Sequence, residues 1–321
     1  MHRIFGGMDG SDYIWGDKIV IRSLAKDGYT GFLMTDGRLE TYLDNDLVWT
    51  SYFIGEDYAE AELSDTVDLN ADMGESFGPW VMGQDAELLE VITSANVACG
   101  MHAGDWDAMA ATMARAVETG TGIGAHPGFP DLQGFGRRRM QIAGRSLGNL
   151  VAYQLGAAQA MAAAAGGRVR HLKLHGALAN MCSEDKALAR AAYEGALSVD
   201  PDIIIMVLAA TRQQSAVEAL GCRWAGEIFA DRAYNDDATL VDRSLPGAVI
   251  HDPELAARRM VGMVKAGAII TESGKHIPTA VDTICLHGDG KTALQIARAV
   301  RAALEGADIA LEVFPGRTGA F

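Results

Sequence analysis

Six short stretches hold most of the side chains able to do chemistry: residues 68–75 (DLNADMGE), 99–105 (CGMHAGD), 124–127 (GAHP), 171–176 (HLKLHG), 227–232 (EIFADR) and 286–291 (LHGDGK). Each follows an apolar run and leads into a small-residue turn. Loops leaving the carboxyl ends of parallel strands converge on one face, so such residues can meet although they are far apart in the chain. In an extended segment Asp68, Asn70 and Asp72 share one face, and so do His171, Lys173 and His175. Crowded carboxylates raise one another's pKa and suit acid/base or cation-binding work. Lys173 offers a fixed positive charge for a carboxylate or an oxyanion, and His175 can move protons. His171 lies deepest in its strand and reads as a structural histidine.

His102 and His126 sit on Gly-rich turns and, with Asp72, form an Asp/His/His set able to ligate a divalent metal. With no local signature such as HExxH, a bound metal in the barrel is not expected. Cys99 reads as a small buried strand-end residue rather than a nucleophile. The GRSLG run around Ser146 lacks a buried strand before it, so Ser146 is read as a helix cap and a serine hydrolase is set aside. Gly290-Lys291-Thr292 resembles the end of a P-loop, but Cys285 stands where the earlier glycine belongs, so the phosphate cradle is incomplete.

The elements that must position these residues follow from alternation. Strands are expected at 66–71, 95–99, 122–125, 169–174, 203–208, 223–228, 283–286 and 309–313. Helices are expected at 106–119, 147–165, 185–198, 253–266 and 290–304. Strand–helix alternation implies a mostly parallel sheet, and the length suits a closed or distorted β/α barrel of seven or eight strands. Residues 1–65 differ: they hold ten of the twenty-two aromatics, with thirteen acidic against five basic residues. Short strands at 18–24, 29–35, 38–43 and 48–54, with Asp36-Gly37 between two of them, predict a small antiparallel β extension. The domains are therefore drawn at 1–65 and 66–321, the extension being too small to stand comfortably alone.

With 321 residues, 49% hydrophobic and 21% charged, the chain can bury a large core. A net charge of -15 without a Lys/Arg block argues against nucleic acid and anionic membranes as partners. Four scattered cysteines suggest reduced thiols, and no apolar run reaches the length of a membrane span, so a cytoplasmic location is expected.

The stretches VDLNADMGE, SANVACGMHAGD, GAHPGFPD with the following GFGRR, RHLKLHGAL, EIFADRAY and ICLHGD together resemble the LamB/YcsF family, lactam-utilisation proteins of the 5-oxoprolinase type. The resemblance runs in order from residue 66 to about 314. It implies a distorted barrel related to polysaccharide-deacetylase-like barrels. It also implies action with two partner subunits in the ATP-dependent opening of 5-oxo-L-proline to L-glutamate. ATP and Mg2+ are then consumed by the complex and bound mainly by the partners.

Twelve residues fall on family motif positions: Asp72, Glu75, His102, Asp105, His126, Lys173, His175, Glu227, Asp231, Arg232, His287 and Asp289. The expected catalytic set is Asp72 or His102 as base, Lys173 with Arg232 as anion clamps, and His175 or His287 as acid. Asn70, Glu75, Asp105, His126, Glu227, Asp231, Arg232 and Asp289 are expected to contact substrate. The family's KPHGALYN is altered here, with Leu174 for the proline and Ala179 for the tyrosine, which leaves the identity of the lactam open. Two other classes stay in view: a metal-dependent deacylase working without ATP, and a noncatalytic binding or assembly subunit. Self-association is also left open. Because an unpaired buried ammonium is costly, Lys173→Met is expected to fold normally while losing activity.

Overall fold

The polar residues of the first barrel strand alternate with Val67, Leu69, Ala71 and Met73, all buried, so one face can join an apolar core while the other lines an interior. The structure is a computed structural model of the 321-residue chain that describes residues 13–15, 18–21, 29–34, 38–43, 46–52, 66–286 and 292–319. The chain divides into two compact units, Met1–Glu62 and Leu63–Phe321.

The first unit holds β1 (Tyr13–Trp15), β2 (Lys18–Ile21), β3 (Tyr29–Met34), β4 (Arg38–Leu43) and β5 (Asp46–Tyr52). They pair in chain order, every neighbour antiparallel, with a register shift between Thr41 and Tyr42. The register Leu33↔Leu39 brackets the expected Asp36-Gly37 connection, which itself lies outside the described residues.

The second unit runs β6 (Thr66–Met73), α1 (Asp85–Leu88), β7 (Ser94–Ala98), α2 (Trp106–Thr119), β8 (Gly122–His126), α3 (Gly144–Ala164), β9 (Val169–Lys173), α4 (Gly176–Glu184), α5 (Lys186–Val199), β10 (Ile204–Leu208), α6 (Arg212–Leu220) and β11 (Trp224–Phe229). It continues with α7 (Pro253–Ala266), β12 (Ala268–Ile270), β13 (His276–Pro278), β14 (Thr283–Leu286), α8 (Ala293–Glu305) and β15 (Ala310–Leu311). Strands β6, β7, β8, β9, β10, β11 and β14 pair side by side in parallel. The ring closes where β14 returns to β6, with Thr283 opposite Asp68 and Leu286 opposite Ala71. The barrel therefore has seven strands. The expected eighth, β15, pairs only with Thr66 and Val67 at the start of β6, and β12 and β13 form a separate antiparallel pair.

Local chemistry sets the helix ends. Asp105 caps α2 by accepting from the amides of Asp107 and Ala108, and Gly120 ends that helix in the left-handed region at φ 73°. On α2 the buried Met109, Thr112, Met113 and Ala116 fall at helical spacing and turn one stripe to the core. Asp252 caps α7, with Pro253 at its first position and Gly267 after its end. Helix α3 begins at Gly144, so exposed Ser146 lies within the first turn and not at the cap, correcting the expected role. The short helices α4 and α6 were not expected from the sequence.

A segment after β15 seals the amino end of the barrel. Phe314 packs with Ile204, Met206 and Ala225 and lies edge-on to His171, ring centroids 5.4 Å apart. Arg317 exchanges backbone hydrogen bonds with Trp224, and its Nε donates to both carboxylate oxygens of Asp282 at 2.8 and 2.9 Å.

Candidate active site

The barrel interior is a column of hydrogen-bonded polar side chains that ends at the carboxyl mouth in a cluster of imidazoles. At its base Asp68 accepts from the hydroxyls of Thr93 (2.6 Å), Ser94 (2.7 Å) and Thr283 (2.5 Å). Burial pushes the Asp68 carboxyl up to about 6, against the pull of those hydroxyls. One layer higher, Asn70 donates to the Thr283 hydroxyl and accepts from the Asn96 amide at 2.7 Å, while Asn96 Oδ1 meets His171 Nε2 at 2.8 Å. Burial holds His171 far down, to about 3, so it is a neutral packing histidine as its depth implied.

Above these sits Lys173. Its Nζ lies 2.7 Å from Glu227 Oε1, 3.0 Å from Asp72 Oδ1, 3.0 Å from Cys285 Sγ and 3.3 Å from Asn70 Oδ1. Burial works against the ammonium, but Asp72 and Glu227 outweigh it and hold Lys173 well above its ordinary value. Glu227 is itself raised, by burial first, because one ammonium cannot fully compensate two buried carboxylates. Lys173 is thus doubly paired, and the expectation that Lys173→Met folds normally is withdrawn. Lys173 positions Asp72, whose Oδ1 also accepts from Asn96 Nδ2 at 3.0 Å. All four contacts of the Lys173 Nζ are to protein groups.

At the mouth the ends of β6, β7, β8 and β9 bring together Glu75, His102, His126 and His175, one ligand-capable atom from each lying within 4.8 Å of every other. His102 stacks on His175 with ring centroids 3.6 Å apart and planes 6° from parallel. Its Nε2 lies 3.4 Å from Glu75 Oε1. His126 Nε2 is 3.0 Å from His175 Nδ1 and 3.3 Å from Asp72 Oδ2. Burial, then the neighbouring imidazoles, pushes His102 well below its ordinary value, and burial pushes His175 to about 3. Of the set expected from the sequence to hold a metal, Asp72 with His102 and His126, the four-residue cluster contains the two histidines together with Glu75 and His175, and Asp72 Oδ2 lies 3.3 Å from His126 Nε2.

The loop between β8 and α3 folds over this cluster. Gln154 of α3 bonds both the amide and the carbonyl of Gly128 at 3.0 Å, and Arg138 pairs with Asp131. Phe135, at φ 54°, turns its carbonyl to His175 Nε2 (2.9 Å) and its ring edge-on to His102 and His175. At Gly136, φ 63°, an added Cβ would come within 2.7 Å of His102 Cβ and 2.8 Å of His175 Cδ2, so only glycine lets this loop approach the two rings.

Two further expected residues, Asp105 and Arg232, are engaged with protein groups. Asp105, expected to touch substrate, is used in capping α2 and in accepting from the Gly78 amide at 2.6 Å. Arg232, expected to clamp an anion, is buried and donates to the carbonyls of Val241 (2.6 Å) and Ala248 (3.3 Å), bracing the loop after β11. Asp231 is buried next to it in the chain. His287 and Asp289, and the Gly290-Lys291 turn, lie outside the described residues. Cys99 is buried, with its thiol pushed up to about 12, and is no nucleophile. Asn96, Cys285 and Phe135 join the site without having been expected there. For Asn96 a signal existed: Ser94 and Asn96 stand two apart in an otherwise apolar strand.

A closed parallel barrel with its ionisable side chains gathered at the carboxyl ends of the strands is the build of a β/α-barrel protein that works through its strand-end loops. The chain belongs to the LamB/YcsF family, which it matches over residues 67–318. It is 73% identical over 248 residues to a Ruegeria pomeroyi protein named as the A subunit of 5-oxoprolinase, covering 77% of this chain and 98% of that one. It is 52% identical over 250 residues to the protein of that name from Rhodopseudomonas palustris strain BisA53, covering 78% and 98%. Among solved structures, the lactam utilization protein of Thermus thermophilus superposes with a TM-score of 0.73 at 40% identity, over 78% of this chain and 100% of that one. Strands β1 to β5 lie outside the family match. No helix among the described residues is long and apolar enough to cross a membrane.

Proposed function

We propose that this chain is the barrel subunit of an ATP-dependent lactam hydrolase that opens 5-oxo-L-proline, or a related cyclic amide, to the amino acid. The observation that carries this reading is the 73% identity, over nearly the full length of the relative, to a protein named as the A subunit of 5-oxoprolinase. A five-membered lactam is an unreactive amide. Phosphoryl transfer from ATP to its oxygen makes the ring carbon electrophilic; water then adds, the ring C–N bond breaks, and amino acid, ADP and phosphate result. ATP with Mg2+ is assigned mainly to partner chains, two by family resemblance, and the activated lactam to the mouth of this barrel.

Within the mouth Asp72 is assigned as general base. Lys173 and Asn96 fix its Oδ1 while Oδ2 faces His126. His102 and His175, neutral and buried, line the mouth beside His126 and Asp72. The test is reconstitution with the partner subunits, following ATP-dependent release of glutamate and phosphate. Asp72→Asn should lower kcat by about a hundredfold or more. Lactam opening without ATP or partners would move the protein to the metal-dependent deacylase class, and full activity in Asp72→Asn would leave it a binding or assembly subunit.

A further inference from the structure

The four residues at the barrel mouth pose a problem of proton placement. His126 Nδ1 lies 2.8 Å from the Lys173 carbonyl oxygen, which can only accept, so Nδ1 carries the proton and Nε2 presents a lone pair. His175 Nε2 lies 2.9 Å from the Phe135 carbonyl, so its Nδ1 presents a lone pair in turn. These two nitrogens face each other at 3.0 Å. Both nitrogens of His102 are buried and make no hydrogen bond, and its Nε2 points to Glu75 Oε1 at 3.4 Å. Glu75 Oε1 is in turn 3.9 Å from His175 Nδ1. Lone pairs of two rings therefore face each other beside the Glu75 carboxylate and the unbonded His102, an arrangement that is repulsive unless a cation lies among them.

We propose that Glu75, His102, His126 and His175 bind one divalent cation of the zinc class. Metal–ligand bonds of roughly 2.0–2.1 Å in a tetrahedron place ligand atoms roughly 3.3–3.4 Å apart. Three of the six separations, 3.0, 3.4 and 3.9 Å, scatter about that edge, and all six lie within 4.8 Å. Three imidazoles and one carboxylate suit a borderline cation; calcium and magnesium prefer all-oxygen shells. The far ring nitrogens of His126 and His175 are each held by a backbone carbonyl, the outer support that fixes the tautomer and aim of a ligating histidine. Gly128 and Gly136 keep the covering loop against His102, where a Cβ on either would come within 2.7 Å of that side chain. Such a cation would tie the four side chains together at the mouth, with Asp72 Oδ2 3.3 Å from the His126 ligand atom.

Cation binding here follows from the cluster's geometry and not from the lactam reading, and its test uses the full-length chain alone, without ATP, lactam or partners. The purified chain is stripped with chelator and titrated with Zn2+ and with Co2+. Metal content is measured by plasma emission, and Co2+ coordination by visible absorption. The expected result is one metal per chain, a tetrahedral Co2+ band, and affinity lowered about a hundredfold or more in His126→Ala and in Glu75→Gln, each with a cooperative thermal melt. If the stripped chain takes up neither ion below about 10 µM free metal, or if both folded variants bind as tightly as the parent, the cluster is not a metal site. A metal-binding chain that fails to open lactams would leave this inference standing and remove the proposed function.

Discussion

Replacing Lys173 with methionine tests the buried charge network directly. The substitution keeps much of the side-chain volume but withdraws the ammonium from between Glu227, at 2.7 Å, and Asp72, at 3.0 Å. Two carboxylates then share a buried site with no cation, and breaking a buried pair from one side costs about 3–5 kcal/mol. Against a total stability of about 5–15 kcal/mol this is a large fraction. At about 2–4 °C per kcal/mol for a domain of this size, the melting temperature should fall by about 6–20 °C. Adding Glu227→Gln removes one of the stranded charges, so the double variant should regain about 1 kcal/mol or more over Lys173→Met. Differential scanning calorimetry and urea denaturation of the wild type, both single variants and the double variant complete the cycle. A Lys173→Met melt within about 2 °C of wild type would overturn this account of the network, and so would a double variant less stable than Lys173→Met.

Two further outcomes follow from groups at other depths. Asp68 titrates at about 6 when folded against an ordinary 3.8, so its contribution is fully present below about 3.8 and is lost as pH rises through about 6. That loss is about 3 kcal/mol in all and about 1 kcal/mol between pH 5 and 7, and urea titrations at those two pH values should show it in wild type but not in Asp68→Asn; parallel profiles would discard the assignment. Gly136→Ala should cost about 2–4 kcal/mol, because left-handed strain adds to contact with His102 and His175, whereas Gly120→Ala, with open space around its Cβ, should cost about 1 kcal/mol; equal melts for the two would show that the loop has room.

Strand–helix alternation and the strand-end motifs made much of the barrel legible from residues alone, because parallel strands followed by helices have few ways to pack. Every expected barrel strand from residues 66–71 to 283–286 has its counterpart in the ring. Closure was not legible, since nothing local says that β14 pairs with β6 while β15 touches only the first residues of β6. Roles within motifs were harder still. Asp105 and Asp72 both follow β-prone runs with Gly nearby, yet one caps a helix and the other stands at the mouth. The difference lies in what faces them across the ring. The ion pairing of Lys173 was hidden for the same reason: Glu227 belongs to β11, and only the strand order β9–β10–β11 brings it within reach. The carbonyls that aim His126 and His175 belong to Lys173 and Phe135, and backbone groups leave no mark in residue types.

The pairing of β6 with β14 also governs how the chain can be made. Asp68 and Thr283 are 215 residues apart, and their hydrogen bond belongs to the last seam of the ring. As the chain leaves the ribosome, β6 emerges long before β14, so Asp68, Asn70 and Asp72 can meet Thr93, Ser94 and Asn96 early, but Asp68 and Asn70 must wait for Thr283. Water can solvate that row meanwhile, which an apolar lining would not allow. The same polar interior keeps the growing, open sheet from collapsing on its inner face, and it leaves the seam for β14 to close.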